Sequence, residues 1–352
     1  MKKHALSFLF IITLFSLTAV SASAVVNDTL KVGIRWGSTA LEAANLENAV
    51  GSGYEFGYYD EDREFVYLDE TEETTITMCA SGSGNGVVVT ETKSGDVLYR
   101  FSDNGYCFGV RPIGRHTETW CKGYKYPGGF EYRCNENGTL TVINVVDIED
   151  YVKGVVPYEM DKDWPLAALE AQAVCARTYA YQELSAYAYP DCEAHVDDSV
   201  SFQVYGNTGR TAGTDRAVAE TAGQILTCQG SPITAYYFST SCGATGNQEV
   251  WWDGDQTATP YLAGKTVDAA GEAVDLSKEE EFNAFLEADH PDGYDADISW
   301  YRWETEIDNK TLSENLNQAL AGRIAANPNA VLTRLGSRLE SRTIKTIGRI
   351  RG

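Results

Sequence analysis

The 352-residue chain is short of positive charge and of histidine: 28 Lys and Arg stand against 51 Asp and Glu, with 4 His. A net charge of −23 makes it a poor partner for nucleic acid or for an anionic membrane surface. No CxxC pair occurs, and His116, His195 and His290 are scattered, so neither a structural zinc site nor any other metal or cofactor is expected. No apolar run beyond residue 24 is long enough to span a bilayer. No internal repeat is visible. The hydrophobic fraction of 43% and the 21 tyrosines argue against disorder. Tyrosine suits both glycan contacts and strand interiors, and composition does not separate the two.

What is present begins with a leader. Lys2, Lys3 and His4 precede an apolar run from Ala5 to Val20, then Ser21-Ala22-Ser23-Ala24. This reads as a secretory signal peptide over residues 1–24, with an uncleaved anchor as the alternative. The expected location is therefore the exterior or the bacterial cell envelope, with no integral membrane segment once the leader is cleaved. Eight cysteines in an exported chain suggest disulfides. Cys121 and Cys134 flank the turn Tyr126-Pro127-Gly128-Gly129 and are placed to bridge a hairpin; the others cannot be paired.

The pattern predicts an α+β protein: a β-rich N-terminal half, then a mixed α/β catalytic region with one long central helix. Short strands are expected at Leu30–Trp36, Glu55–Tyr59, Gly86–Thr90, Val97–Phe101 and Gly138–Val145, punctuated by Gly, Asn and Asp. We place a β-rich region at 25–119 and a catalytic domain at 120–352. Asp163-Trp164-Pro165 reads as a helix start, with Asp163 as N-cap. Leu166, Leu169, Ala173, Ala176, Ala180 and Leu184 then form one stripe to about Tyr187. Pro232–Ser239 and Ile298–Ile307 read as strands. Capping boxes at Ser277/Glu280 and Thr311/Glu314 announce two later helices. The basic stretch from Val331 to Gly352 fits contact with an anionic polymer or solvated edge strands.

The stretch from Val146 to Tyr181 carries the chemistry. Glu159 is expected just after a strand or turn, with Pro157 before it and Val155, Val156 and Met160 around it. Apolar surroundings disfavour an ionised carboxyl and would raise its pKa, as a general acid for glycosidic cleavage requires. A helix cap is the alternative role.

This stretch resembles the signature of the stage II sporulation protein D family, which includes the amidase-enhancer proteins. The resemblance rests on Tyr151, Gly154, Val155, Val156, Glu159, Met160, Trp164, Pro165, Ala168, Leu169, Ala171, Gln172, Ala173, Val174 and Ala176-Arg177-Thr178-Tyr179. It continues through Asp198–Tyr205, Gly223–Leu226, Ala235–Gly243, Glu249-Val250-Trp251 and Pro260-Tyr261-Leu262. Departures are Cys242 for a usual Gly, Cys175 for an Ala, and no Cys/His set around Asp197–Phe202 of the kind some members use for zinc.

The resemblance implies a lytic transglycosylase that cuts the MurNAc–GlcNAc bond of peptidoglycan, with Glu159 catalytic. It also implies glycan strands as substrate and a cell-wall amidase as a partner. One carboxylate suffices for that reaction, whereas a hydrolase needs two. Gln172 is a candidate for binding an N-acetyl group or for orienting Glu159, and Arg177 for a substrate contact or a structural salt bridge. Ser239, Thr240 and Ser241 would grip glycan or simply close a turn. Tyr205 and Trp251 would stack on sugar or fill the core. A non-catalytic wall-binding amidase enhancer is the alternative function.

Overall fold

The computed structural model describes residues 28–326 except 49–50, 83–85, 103–104, 115–117, 207–208, 249–258, 268–275, 277, 289–292 and 302–305. The leader, Trp251, Ser277 and the basic C-terminal stretch fall outside the described residues. The chain divides into two compact units, Met1–Tyr237 and Phe238–Gly352. Thr119 and Trp120, where the sequence reading divides front from back, lie within one strand of the first unit.

The first unit is built on two sheets. Its strands are β1 (Thr29–Arg35), β2 (Ala43–Asn48), β3 (Tyr54–Tyr59), β4 (Phe65–Thr71), β5 (Thr75–Ala80), β6 (Gly86–Glu91), β7 (Val97–Ser102), β8 (Phe108–Pro112), β9 (Glu118–Cys121), β10 (Tyr124–Pro127), β11 (Gly129–Cys134), β12 (Leu140–Asp147) and β13 (Val196–Asp197). A seven-stranded sheet runs β13-β1-β12-β11-β8-β3-β4, and a six-stranded one runs β10-β9-β2-β5-β6-β7. Pairing is antiparallel except for β1 with β13. Alternation sorts the faces: in β2, Ala44 and Leu46 point inward while Asn45 and Glu47 are exposed. Leu30, Val32, Leu46, Phe56, Ile76, Met78, Val89, Phe108, Phe130 and Val142 from both sheets join one buried cluster.

That cluster continues into the helices. β12 runs directly into α1 (Ile148–Glu159), whose N-cap Asp147 accepts the N–H of Glu149 at 2.8 Å and of Asp150 at 3.4 Å. Ile148, Tyr151, Val152, Val155 and Val156 form its buried stripe. The segment expected to be strand or turn is thus helical: Asp147 supplies the start, and the three-and-four spacing of apolar residues supplies the face. Helix α2 (Leu166–Glu183) buries Leu169, Ala173, Ala176 and Ala180 as predicted. It begins after Pro165 and not at Asp163, because a residue preceding proline is pushed out of the helical region. Helix α3 (Ala212–Glu220), which the sequence reading missed, is capped by Thr211 with Thr214.

The expected strand Pro232–Ser239 is reduced to a two-residue pairing, β14 (Thr227–Cys228) with β15 (Ser231–Pro232). Gln229 and Gly230 at φ 54° and 83° make the tight turn between them. Beyond Pro232 the chain stays irregular to Tyr237. No disulfide joins any of the eight cysteines in this structure. Cys121 and Cys134 are not bridged across a hairpin: β9 belongs to the six-stranded sheet and β11 to the seven-stranded one. In the second unit α4 spans Glu279–Glu287 and α5 spans Asn309–Ala326, equal in length to α2. Asp308, and not Thr311, caps α5: its carboxylate takes the N–H of Thr311 at 3.0 Å. Residues 294–301 form successive turns and bends, so the first part of the expected strand Ile298–Ile307 is not one; residues 302–305 of that expectation lie outside the described residues. The protein is α+β. Among the described residues no helix is long and apolar enough to cross a membrane.

Candidate active site

Glu159 is the last residue of α1, half-buried, with Met160 extended behind it at φ −141°. Pro157 in the final turn cannot donate to the carbonyl of Lys153, which helps end the helix there. The helix stripe anchors Val155 and Val156 in the core, so the carboxyl is presented from a rigid support. Residues 157–162 line an open cleft of about 370 Å³ that includes Glu159 and Asp161. Asp161 holds its own turn, taking the N–H of Asp163 at 2.9 Å.

The loop after β13 closes over the other side. Its fixed points are Gly206 N–H to Gly154 O at 3.2 Å and Tyr205 N–H to Asp198 O at 3.3 Å. So pinned, the loop directs the N–H of Val204 onto Glu159 Oε1 at 2.8 Å. This bond holds the carboxyl plane and engages one of its two oxygens, Oε1. A Cβ at Gly206 would lie 3.2 Å from the Tyr158 hydroxyl, a tight contact that Tyr158 would have to ease.

Tyr237 completes the arrangement. Gln203, 1% exposed, donates its Nε2 to the Tyr237 hydroxyl at 3.0 Å and to Ala176 O at 3.4 Å. With its oxygen accepting from Gln203, the phenol is left to donate toward Glu159, which it neighbours. Burial pushes the Tyr237 phenol up, and the charge of Glu159 adds to the shift, so the hydroxyl stays protonated. Tyr151 lies behind, fully buried, its hydroxyl without a partner. Neither Gln203 nor Tyr237 was singled out from sequence. Both sit inside runs that were, Asp198–Tyr205 and Ala235–Gly243, but spacing along the chain does not show that these runs return to Glu159.

Among the other expected site residues, Arg177 and Tyr205 are committed to structural contacts. Arg177 is 1% exposed and fully engaged. It forks onto Glu149 (Nε to Oε1 2.7 Å, Nη2 to Oε2 2.8 Å) and donates to Val218 O at 3.1 Å and Gln224 O at 3.2 Å. Of its two expected roles the geometry shows the salt bridge, tying α1, α2 and the end of α3 together. Tyr205 is core: its ring lies 4.8 Å from that of Tyr151 and its hydroxyl donates to buried Asn144 Oδ1 at 2.9 Å. It offers no face to a sugar. Gln172 is 6% exposed, its Nε2 buried without a hydrogen-bond partner. Ser239, Thr240 and Ser241 belong to the second unit. Ser239 is exposed, while Thr240 and Ser241 hold Asp295. Among the described residues no group of three or more His, Cys, Asp or Glu is placed to hold a metal.

A family model described as Stage II sporulation protein matches residues 136–228, from the hairpin before β12 through β14. That segment contains Glu159, Gln203 and Val204. Through this segment the chain is similar to the stage II sporulation protein D family. It is 39% identical over 131 residues to Stage II sporulation protein D of Bacillus amyloliquefaciens, covering 33% of this chain and 37% of that protein. It is 36% identical over 176 residues to the Amidase enhancer of Bacillus subtilis, covering 49% of this chain and 22% of that one. An uncharacterized protein of Brachyspira hyodysenteriae is 42% identical over 129 residues, 36% and 34% of the two chains. The chain thus spans between about a fifth and two fifths of the length of these relatives.

Proposed function

We propose that the chain is an exported lytic transglycosylase that cleaves MurNAc–GlcNAc bonds of peptidoglycan with Glu159 as acid and then base. The observation that carries this reading is the setting of Glu159: a carboxyl on a helix end, oriented by Val204 N–H, neighboured by the Tyr237 phenol, and open to a cleft. Entering as the acid, Glu159 gives its proton to the glycosidic oxygen as the bond to C1 breaks. The resulting carboxylate takes the proton of the C6 hydroxyl while O6 bonds to C1, closing a 1,6-anhydro ring and restoring the acid. No water is consumed. The Val204 N–H and the Tyr237 hydroxyl would stabilise the carboxylate between the two halves of the reaction.

Two relatives named for sporulation and for amidase enhancement support a role in the cell wall, in line with the leader. The name of the second also supports another reading: a protein that binds the wall and stimulates an amidase without cutting glycan. Digestion of purified glycan strands, with and without stem peptides, separates the two. Anhydro-ended fragments that vanish in Glu159→Gln support the lyase. Intact strands that the protein still binds support the enhancer. Reducing-end products would point to hydrolysis, with Asp161 as the candidate second carboxylate.

A further inference from the structure

The turn at Thr240–Gly243 holds a carboxylate unusually well. Thr240 Oγ1 donates to Asp295 Oδ2 at 2.7 Å and Ser241 N–H to the same oxygen at 2.5 Å. Ser241 Oγ lies 3.1 Å from Oδ2 and 3.2 Å from Oδ1, and itself accepts Gly243 N–H at 3.1 Å. Ser241 is 9% exposed, while Thr240 and Asp295 are half-buried, so the donors sit at the edge of the packed interior. Partial burial works against the charge of Asp295, yet the Ser241 and Thr240 donors outweigh it and hold the carboxyl below its usual range.

The backbone is shaped for the same task. Cys242 and Gly243 have φ of 50° and 95°. A left-handed non-glycine residue is costly and tends to mark a functional turn. Turns of this kind gather N–H groups on one concave side, where anions bind.

Asp295 is half-exposed on a segment of turns and bends, residues 294–301, and two large aromatics near it are uncovered. Tyr294 is 74% and Trp300 69% exposed. Rings left open to water on the segment that carries Asp295 suit the apolar face of a sugar, as the turn suits an acid group.

We propose that Thr240–Gly243 is a carboxylate-binding site, that Asp295 is its internal occupant, and that the lactyl carboxylate of a muramic acid residue displaces Asp295 when glycan binds. Asp295 then competes with the sugar for this turn. The choice of sugar rests on the peptidoglycan reading above, but the site itself does not.

Calorimetric titration of the full chain with N-acetylmuramic acid, N-acetylglucosamine and lactate tests this without requiring cleavage, so a catalytically silent Glu159 leaves the result intact. Asp295→Asn keeps the shape and removes the competing charge. It should bind N-acetylmuramic acid about tenfold tighter than the wild type, with N-acetylglucosamine unchanged and lactate weaker than N-acetylmuramic acid. Adding Thr240→Val to Asp295→Asn should cancel the gain. The proposal is overturned if Asp295→Asn binds N-acetylmuramic acid no tighter than wild type, or if the wild type and the variant both fail to prefer it over N-acetylglucosamine. Asp295→Ala should match Asp295→Asn; if it fails to fold, the Asn variant decides alone.

Discussion

Replacing Arg177 should unfold the protein before it disarms it. The guanidinium is buried, its fork is closed on Glu149, and it also satisfies the carbonyls of Val218 and Gln224. Breaking a buried pair by removing one partner costs about 3–5 kcal/mol. Glu149 keeps partial access to water, with a side-chain exposure of 27%, which moves the expectation to the lower end. Arg177→Met should therefore lose about 3 kcal/mol. Arg177→Lys retains the charge but not the planar fork, and should lose about 2 kcal/mol. Urea unfolding followed by tyrosine and tryptophan fluorescence would read both as lower midpoints at unchanged slope. Glycan binding by the folded fraction should be preserved. An Arg177→Lys protein with a wild-type midpoint but no glycan binding would refute the structural assignment and return Arg177 to the binding site.

Two further outcomes are expected. His195 is 1% exposed and takes the N–H of Lys31 on Nδ1 at 2.9 Å, which requires the neutral ring. Burial, then the charges of Arg63 and Lys31, push it down to about 3. Between about pH 6.5 and 3 the unfolded chain binds the proton that the folded chain refuses. The His195 contribution is thus full above pH 6.5 and falls by about 1.4 kcal/mol per unit as pH drops. Relative to His195→Asn, the wild type should lose about 2 kcal/mol of its stability between pH 6.5 and 5; parallel stability curves for the two would contradict this. Tyr237→Phe should lower the glycan-cleavage kcat by at least about tenfold with KM little changed, because it removes a donor that acts on Glu159 and not on bound sugar. A wild-type kcat would remove Tyr237 from the mechanism.

Much of the fold was legible in the sequence. The front strands follow from period-two alternation and turn residues, and the buried stripe of α2 from three-and-four spacing. Starts and stops were less so. Asp147 serves as the last residue of β12 and the cap of α1, and a strand reading hides the cap. Pro232–Ser239 has the composition of a strand but pairs only through its first residue. At the site, Glu159 stood out through the run that contains it, whereas Gln203 and Tyr237 are joined to it only by the fold. Tyr205 and Arg177 show the converse: residue types suited to ligands, turned inward by packing and by Glu149. The Asp295 contact had no local signal at all.

The central claim is that one carboxyl, Glu159, cuts glycan without water. Mass spectrometry of purified peptide-free glycan strands digested in ¹⁸O-water measures this directly. The account predicts 1,6-anhydromuramic ends carrying no ¹⁸O with the wild type, and uncut strands with Glu159→Gln. Reducing ends labelled with ¹⁸O, or undiminished cleavage by Glu159→Gln, would contradict it.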